Sequence, residues 1–263
     1  MIIAISDLAA VAGGEIIRPR SDAGGERRDG RGPDVVRGAS IDSRSLTHGE
    51  LFVAVPAERD GHDYVAAAAR LGAAAALVAR PVDADIVQIV VDDTVAALGA
   101  MGGLARERLE GPVVGITGSV GKTSTKDLLA SICALAGVTT ASAKSLNNEM
   151  GVPLTLLNAD ELTRRTILEM GARGVGHIAQ LCAIGRPDIG VVTAVAAAHT
   201  EMFGSIDAVA AAKGELVEAL PADGTAVLNA DDPRVLAMAS RTSARVLTFG
   251  TSGTSADVVA SDV

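Results

Sequence analysis

Val114-Gly115-Ile116-Thr117-Gly118-Ser119-Val120-Gly121-Lys122-Thr123-Ser124 is the stretch that decides how this chain folds. An apolar run enters it, glycines bend it, and a helix-forming segment leaves it. Glycine lets the backbone close around a polyphosphate with its N–H groups turned inward. Lys122 can then reach the terminal phosphates and Thr123 can hold Mg²⁺, while the following helix adds its positive end. Gly118, Ser119, Val120, Gly121, Lys122, Thr123 and Ser124 are therefore the candidate nucleotide contacts. The spacing departs from G-x-x-x-x-G-K-[ST], because Ile116 stands where the first glycine should be and Gly115 lies one residue earlier. A ligand-free glycine turn is the bland alternative. The strand–loop–helix context argues against it.

Outward from the loop, strands and helices alternate. Val113–Ile116 feeds it, and Leu128, Leu129, Ile132, Cys133 and Leu135 mark an apolar helix face behind it. Thr166–Met170 and Ile189–Val195 read as strands buried on both faces, which is the mark of a parallel sheet. Thr225–Leu228 and Arg245–Phe249 continue the pattern. Upstream, Leu51–Val55, Ala74–Ala79 and the helix Tyr64–Leu71 suggest a smaller α/β domain. The expected organisation is an α/β protein in two domains. Residues 1–84 form a small N-terminal domain, and 85–263 a central domain whose mostly parallel sheet is flanked by helices. Pro81–Asp85 reads as the hinge. Arg20–Gly38, rich in Gly, Arg and Asp, reads as a solvated surface loop, and Gly250–Val263 as a tail that ends without a final element.

Ligands of open parallel sheets sit at the carboxyl ends of strands, and several chemistry-bearing residues fall there. Glu169 ends an apolar strand beside the loop, where a carboxylate is a hard ligand for Mg²⁺. His199 follows another strand and is a further metal candidate, against the plainer reading of a packed histidine. Lys213 sits on a helix among small residues, where a solvated charge is the ordinary reading. Asn229, in Asn229-Ala230-Asp231-Asp232-Pro233, belongs to a strand-to-helix turn with an aspartate cap. Its amide also offers a donor and an acceptor to a nucleobase edge. Asn147 and Asn148 lie in a polar loop one element after the phosphate loop, where a second substrate could approach.

Composition narrows the class. The formal charge of −9 argues against a nucleic-acid partner, which wants a basic face. Aromatics are only 2% of the chain, so Ala, Val and Leu must build the core. The two cysteines, Cys133 and Cys182, lie in apolar helical contexts and read as reduced, buried thiols. No Cys/His spacing suggests zinc. The first residues lack the charged flank of a signal peptide and no apolar run spans a bilayer, so a soluble cytoplasmic protein is expected.

Taken together, Thr117–Thr123, Leu146–Pro153, Leu168–Ala172, Ala197-Ala198-His199, Ala212–Glu215, Leu228–Asp232, Asp42-Ser43-Arg44 and Gly49–Ala54 resemble the Mur ligases, the ATP-dependent amide ligases of peptidoglycan precursor synthesis. The order of these motifs is highly specific, and the unusual glycine spacing is normal for that family. The resemblance covers roughly Ile2 to Phe249. It implies a three-domain enzyme, with a third, C-terminal domain beyond this chain. It also implies ATP and Mg²⁺ as cofactors, with UDP-N-acetylmuramoyl-tripeptide and D-alanyl-D-alanine as the substrates joined through an acyl phosphate. On that resemblance Lys122 contacts the β- and γ-phosphates, Thr123 and Glu169 serve Mg²⁺, and His199 assists a metal position. Lys213 would be carbamylated to orient a second Mg²⁺, and Asn229 would face adenine. Asn147 and Asn148 would line the path of the UDP-linked substrate, with Ser40, Asp42, Ser43 and Arg44 at its uridine end. A sister Mur ligase, a folylpolyglutamate-type ligase, or a non-catalytic module that binds nucleotide and UDP-sugar are the alternatives.

Overall fold

The structure, a computed structural model, describes residues 1–19, 34–144, 146–196, 203–251 and 255–261. The chain divides into two units: Met1–Glu107 with Leu156–Glu161, and Arg108–Thr155 with Leu162–Val263.

In the first unit the described strands are β1 (Ile2–Ala4), β2 (Glu15–Ile17), β3 (Val35–Arg37), β4 (Ala39–Ser40), β5 (Leu51–Val53), β6 (Ala75–Val78) and β7 (Val87–Val90). β1 and β3 pair antiparallel as a separate ribbon. The others form a sheet in the order β2-β7-β6-β5-β4, parallel except for β2. Phe52, Ala54, Val65, Ala68, Ala76, Val78 and Ile86 pack together on it. Small side chains let the helix Val65–Arg70 approach closely, as a core poor in aromatics requires.

Two expectations change here. The boundary at residues 84/85 moves to 107/108, because β7 is a strand of the first sheet and the helix Thr94–Glu107 packs on the helix Ile5–Ala12. Pro81–Asp85 is accordingly not an interdomain hinge. It joins two neighbouring strands, and Gln88 holds it by accepting from Val82 N (2.8 Å) and donating to Val82 O (2.7 Å). The segment Arg20–Gly38 is also not loop throughout, since Val35–Arg37 is β3. Its residues 20–33 lie outside the described residues.

The second unit holds β8 (Val113–Thr117), β9 (Thr139–Ala141), β10 (Arg165–Glu169), β11 (Ile189–Val192), β12 (Thr225–Asn229), β13 (Arg245–Thr251) and β14 (Val258–Ala260). They make one sheet in the order β14-β13-β12-β11-β8-β10-β9, parallel throughout. β14 corrects the expectation of a tail without a final element. It is an edge strand of three residues with its two valines exposed, too short an apolar run to stand out among the polar residues around it.

β8 is the first strand of this unit and lies at its centre. The chain moves to one side for β9 and β10, then crosses to the other for β11 to β13. The order reverses at β8, and crevices form at such switch points. β8 is buried along its length. Leu129, Ala130 and Cys133 of the helix Lys122–Ala134 pack over Val114, Ile116, Ile167 and Val191. The rest of the expected apolar face does not. Leu128, Ile132 and Leu135 are 67, 65 and 90% exposed, because they form the adjacent i, i+4, i+7 row, which points past the sheet.

Gly115 is a strand residue and not part of the loop. A side chain there would press on Leu216 (2.9 Å), and one on Gly190, its partner in β11, would meet Leu216 and Leu220. The two glycines form a notch that seats the helix Ile206–Glu218 on the sheet.

Candidate nucleotide and metal site

At the end of β8 the backbone turns through Gly118 (φ 151°) and Gly121 (φ 85°), conformations that favour glycine. A Cβ on Gly118 would fall 1.9 Å from Thr193 Oγ1, so the close approach of the segment that follows β11 also demands glycine there. The expected end of β11, Thr193 to Val195, is not strand, and with Ala196 it holds the loop instead. Ser119 N donates to Ala194 O (2.7 Å), and its Oγ bonds both backbone groups of Ala196 (3.0 and 3.2 Å). Thr193 Oγ1 donates to Val120 O (2.6 Å). Lys122 Nζ returns across the turn to Gly118 O (2.8 Å). Val120 is exposed, as are Thr123 and Ser124 in the first turn of the helix that follows.

Register brings Glu169 beside this turn, since it pairs with Ile116 of β8. Glu169 is buried. Its Oε2 accepts from Thr123 Oγ1 and its Oε1 from Asn147 Nδ2, both at 2.9 Å. Its own N–H donates to Ser142 Oγ (3.1 Å). Oxygens on adjacent corners of a Mg²⁺ octahedron lie about 3 Å apart. The Thr123–Glu169 pair therefore has the donor chemistry and separation to hold that ion. Among the described residues no group of three or more His, Cys, Asp or Glu gathers. The ion that fits takes few protein ligands and completes its shell with phosphate and water.

A cavity of about 190 Å³ opens from the loop, lined among others by Gly118, Lys122, Asn147, Arg173, His177 and Lys213. Asn148, Ser119 and Gly171 also face it. Lys213 is buried, and desolvation with the nearby Lys122 charge lowers its amine to about 8. Asn148 caps the helix Gly151–Leu157 by accepting from Gly151 N (2.9 Å). The backbone N–H of Arg173 donates to His177 Nδ1 (3.2 Å). In the neutral ring the proton is then on Nε2, facing Glu149 Oε2 at 3.0 Å. Glu149 is held below the ordinary carboxylate range. Burial opposes that, but hydrogen bonds, His177 among them, and the Arg173 charge outweigh it.

The structure thus brings Gly118, Ser119, Lys122, Asn147, Asn148 and Lys213 around one cavity, with Thr123 and Glu169 paired at the loop. Asn229 is already used by the protein: its Nδ2 donates to Thr193 O (2.8 Å) and its Oδ1 accepts from Asp231 N (2.9 Å). The expected aspartate cap is present, with Asp232 Oδ1 accepting from Arg234 N (2.9 Å). Ser40, Asp42, Ser43 and Arg44 belong to the first unit. There Ser40 Oγ accepts from Asp42 N, and Arg44 grips Asp42 with two bonds (2.9 and 2.7 Å), which hold the Asp42 carboxyl at about 2. His199 lies outside the described residues.

Sequence reasoning missed Thr193, Lys126, Arg173, His177 and Glu215. Arg173 and His177 follow a strand end within a glycine-rich segment, a signal that was available. Glu215 was hidden because its work is at a distance. It is buried, and its carboxylate accepts from Gly176 N (2.5 Å) and Ala179 N (2.9 Å), at the start of the helix His177–Gly185. Its charge and burial together push the Cys182 thiol up to about 12, burial being the larger cause.

A central parallel sheet with a glycine loop, lysine and helix at its switch point defines a phosphate-loop α/β protein. The model of the Mur ligase middle domain matches residues 116–263, and the chain belongs to the Mur ligase family. The UDP-N-acetylmuramoyl-tripeptide–D-alanyl-D-alanine ligase of Mycobacterium tuberculosis is 39% identical to it over 271 residues, covering 93% of this chain and 51% of the relative. The Escherichia coli enzyme of the same name is 39% identical over 204 residues, with 77% and 45% covered. Among solved structures, MurF from Acinetobacter baumannii superposes with a TM-score of 0.81 at 29% identity, over 95% of this chain and 54% of that one. The MurF ligase of Thermotoga maritima in complex with ADP gives 0.74 at 33% identity, over 83% and 51%. The chain spans about half the length of the curated relatives it matches.

Proposed function

We propose that these residues are the N-terminal and central parts of an ATP-dependent amide ligase of peptidoglycan precursor synthesis. It would join D-alanyl-D-alanine to UDP-N-acetylmuramoyl-tripeptide. The observation that carries the reading is the Thr123–Glu169–Asn147 cluster at the phosphate loop, opening on a cavity that also receives Lys122 and Lys213. In this reading the second unit takes ATP, and the first takes the UDP-sugar through Ser40 to Arg44. Among the described residues no helix is long and apolar enough to cross a membrane. The demand for ATP suits the cytoplasm.

The substrate carboxylate attacks the γ-phosphorus of ATP, giving an acyl phosphate and ADP. The amine of D-alanyl-D-alanine then adds to the acyl carbon, and the tetrahedral intermediate expels phosphate. Two anions must meet in the first step, so positive charge fixed in advance lowers its barrier. Lys122 provides that charge at the terminal phosphates. Mg²⁺, held by Thr123 and Glu169, neutralises phosphate oxygens when bound. Asn147 fixes the Glu169 carboxylate in place. Lys213 is suited to carbamylation, because an amine that titrates near 8 is partly neutral at cellular pH and can add CO₂ with loss of one proton. His199 assists a metal position, and Asn229 keeps one N–H and one lone pair for the adenine edge.

Titration calorimetry of the 263 residues with ATP, with and without Mg²⁺, tests the nucleotide half. Binding that needs both Mg²⁺ and Lys122 is expected, with no amide product. A chain extended to the relatives' length is expected to form amide from the tripeptide and D-alanyl-D-alanine. Turnover with a different amine or acyl substrate only would move the assignment to a sister ligase. Failure to bind ATP would remove it.

A further inference from the structure

Lys126 is a buried cation that the chemistry above leaves unused. It is 3% exposed, and its Nζ donates to Ser142 O (2.9 Å) and Lys144 O (3.3 Å) and pairs with Asp127 at 2.9 Å. A Met or Leu would fill such a place without the cost of desolvating an ammonium. The charge therefore has a directional task, which is to tie the helix Lys122–Ala134 to the turn after β9. Lys144 takes a left-handed backbone there (φ 50°).

Both ends of that turn lead to Glu169. At one end, Ser142 Oγ accepts the Glu169 N–H (3.1 Å) and Ser142 N donates to Ile167 O (3.0 Å). At the other, Asn147 Nδ2 donates to the Glu169 carboxylate while Asn147 O accepts from Gly171 N (2.7 Å). Thr123, which meets the second carboxylate oxygen, precedes Lys126 by three residues on the same helix face. One ammonium thus links the element carrying Thr123 to the segment that braces Glu169.

We infer that Lys126 is the positioning residue of the candidate metal site, setting Thr123 and Glu169 at their mutual distance through Ser142 and the segment that carries Asn147. This rests on the nucleotide reading above for its function, but not for its structural content. Lys126→Met removes the donors and Lys126→Arg keeps them. In the protein without nucleotide, hydrogen exchange at the Glu169 and Gly171 amides is expected to quicken about tenfold or more in Lys126→Met. Amides inside β11 and β12 are expected to hold their rates. The Mg²⁺ concentration giving half-maximal nucleotide binding should rise about tenfold in Lys126→Met, a loss typical of removed outer-sphere support. Lys126→Arg should restore part of both. Faster exchange throughout the sheet, or a Lys126→Met Mg²⁺ curve that overlays the unaltered protein, would overturn the inference. If the unaltered protein shows no Mg²⁺-dependent nucleotide binding, the nucleotide reading fails. Exchange at Glu169 and Gly171 then decides the anchoring by itself.

Discussion

Lys213 shows how a residue's surroundings redefine it. The sequence offered an ordinary helical lysine among alanines, and its small neighbours were only a weak hint. The fold buries it beside Lys122, and its amine titrates near 8 instead of 10.5. A depressed lysine works against the folded state while charged. Well below pH 8 both states hold the proton, and the cost is present in full, about 3 kcal/mol for this shift. Between about 8 and 10.5 the unfolded chain binds more protons, so this cost fades and stability rises with pH. Lys213→Met should be the more stable protein at pH 7 and should lose that rise. Urea melts of both proteins at several pH values from 7 to 10 check it, and parallel pH profiles would count against a buried charge. Asn229 is the opposite case. Its turn was legible from Asn-Ala-Asp-Asp-Pro, but its amide is bound to Thr193 and Asp231, which only the packing of β11 against β12 reveals.

At the scale of elements, the strand ends were the readable part. The loop at the end of β8 and Glu169 at the end of β10 follow from apolar runs that stop at polar residues. What holds those ends came from elsewhere in the chain. Thr193, Lys126 and Glu215 act on backbone groups between 16 and 73 residues away in sequence, a relation that periodicity does not encode. Glu215 is the clearest example. It reaches from the helix Ile206–Glu218 to satisfy the first N–H groups of the helix His177–Gly185, whose N-cap residue Gly176 has no side chain to do so. Glu215→Gln should lower stability by about 1–2 kcal/mol, through loss of the charge at that helix start. It should also loosen the Arg173–His177 wall of the cavity. Thermal melts and the His177 ring resonances follow the two effects. An unchanged melting point with sharp, unmoved resonances would remove Glu215 from this role.

For the whole molecule, the division into two units was readable and its boundary was not. Alternating strands mark a sheet but do not say which sheet a strand joins. β7 looked like the start of a second domain and belongs to the first. Nothing local announced that Leu156–Glu161 returns to the first unit. Asn158 is its anchor. It pairs with both backbone groups of Ala39 at 2.8 Å, covering the edge strand β4 as another strand would, and Gly38 is glycine because Asn158 occupies its Cβ space. Asn158→Ala is expected to cost the first unit about 1–3 kcal/mol by leaving buried backbone groups unpaired. Nucleotide binding by the second unit should be unchanged. Hydrogen exchange at Ala39 alongside calorimetry separates these outcomes, and a parallel loss of both would show that the two units do not behave independently.

The notch at Gly115 and Gly190 reaches further than its size suggests. It fixes how deeply Leu216 sinks into the sheet, and Lys213 lies one helical turn before Leu216. In a survey of all single substitutions, these two strand glycines would sort with the cavity residues, although neither is among the residues that line it. The exposed Leu128, Ile132 and Leu135 would sort with the neutral surface. Sensitivity to change is expected to follow the supports of the lysine's helix as closely as the residues that line the cavity.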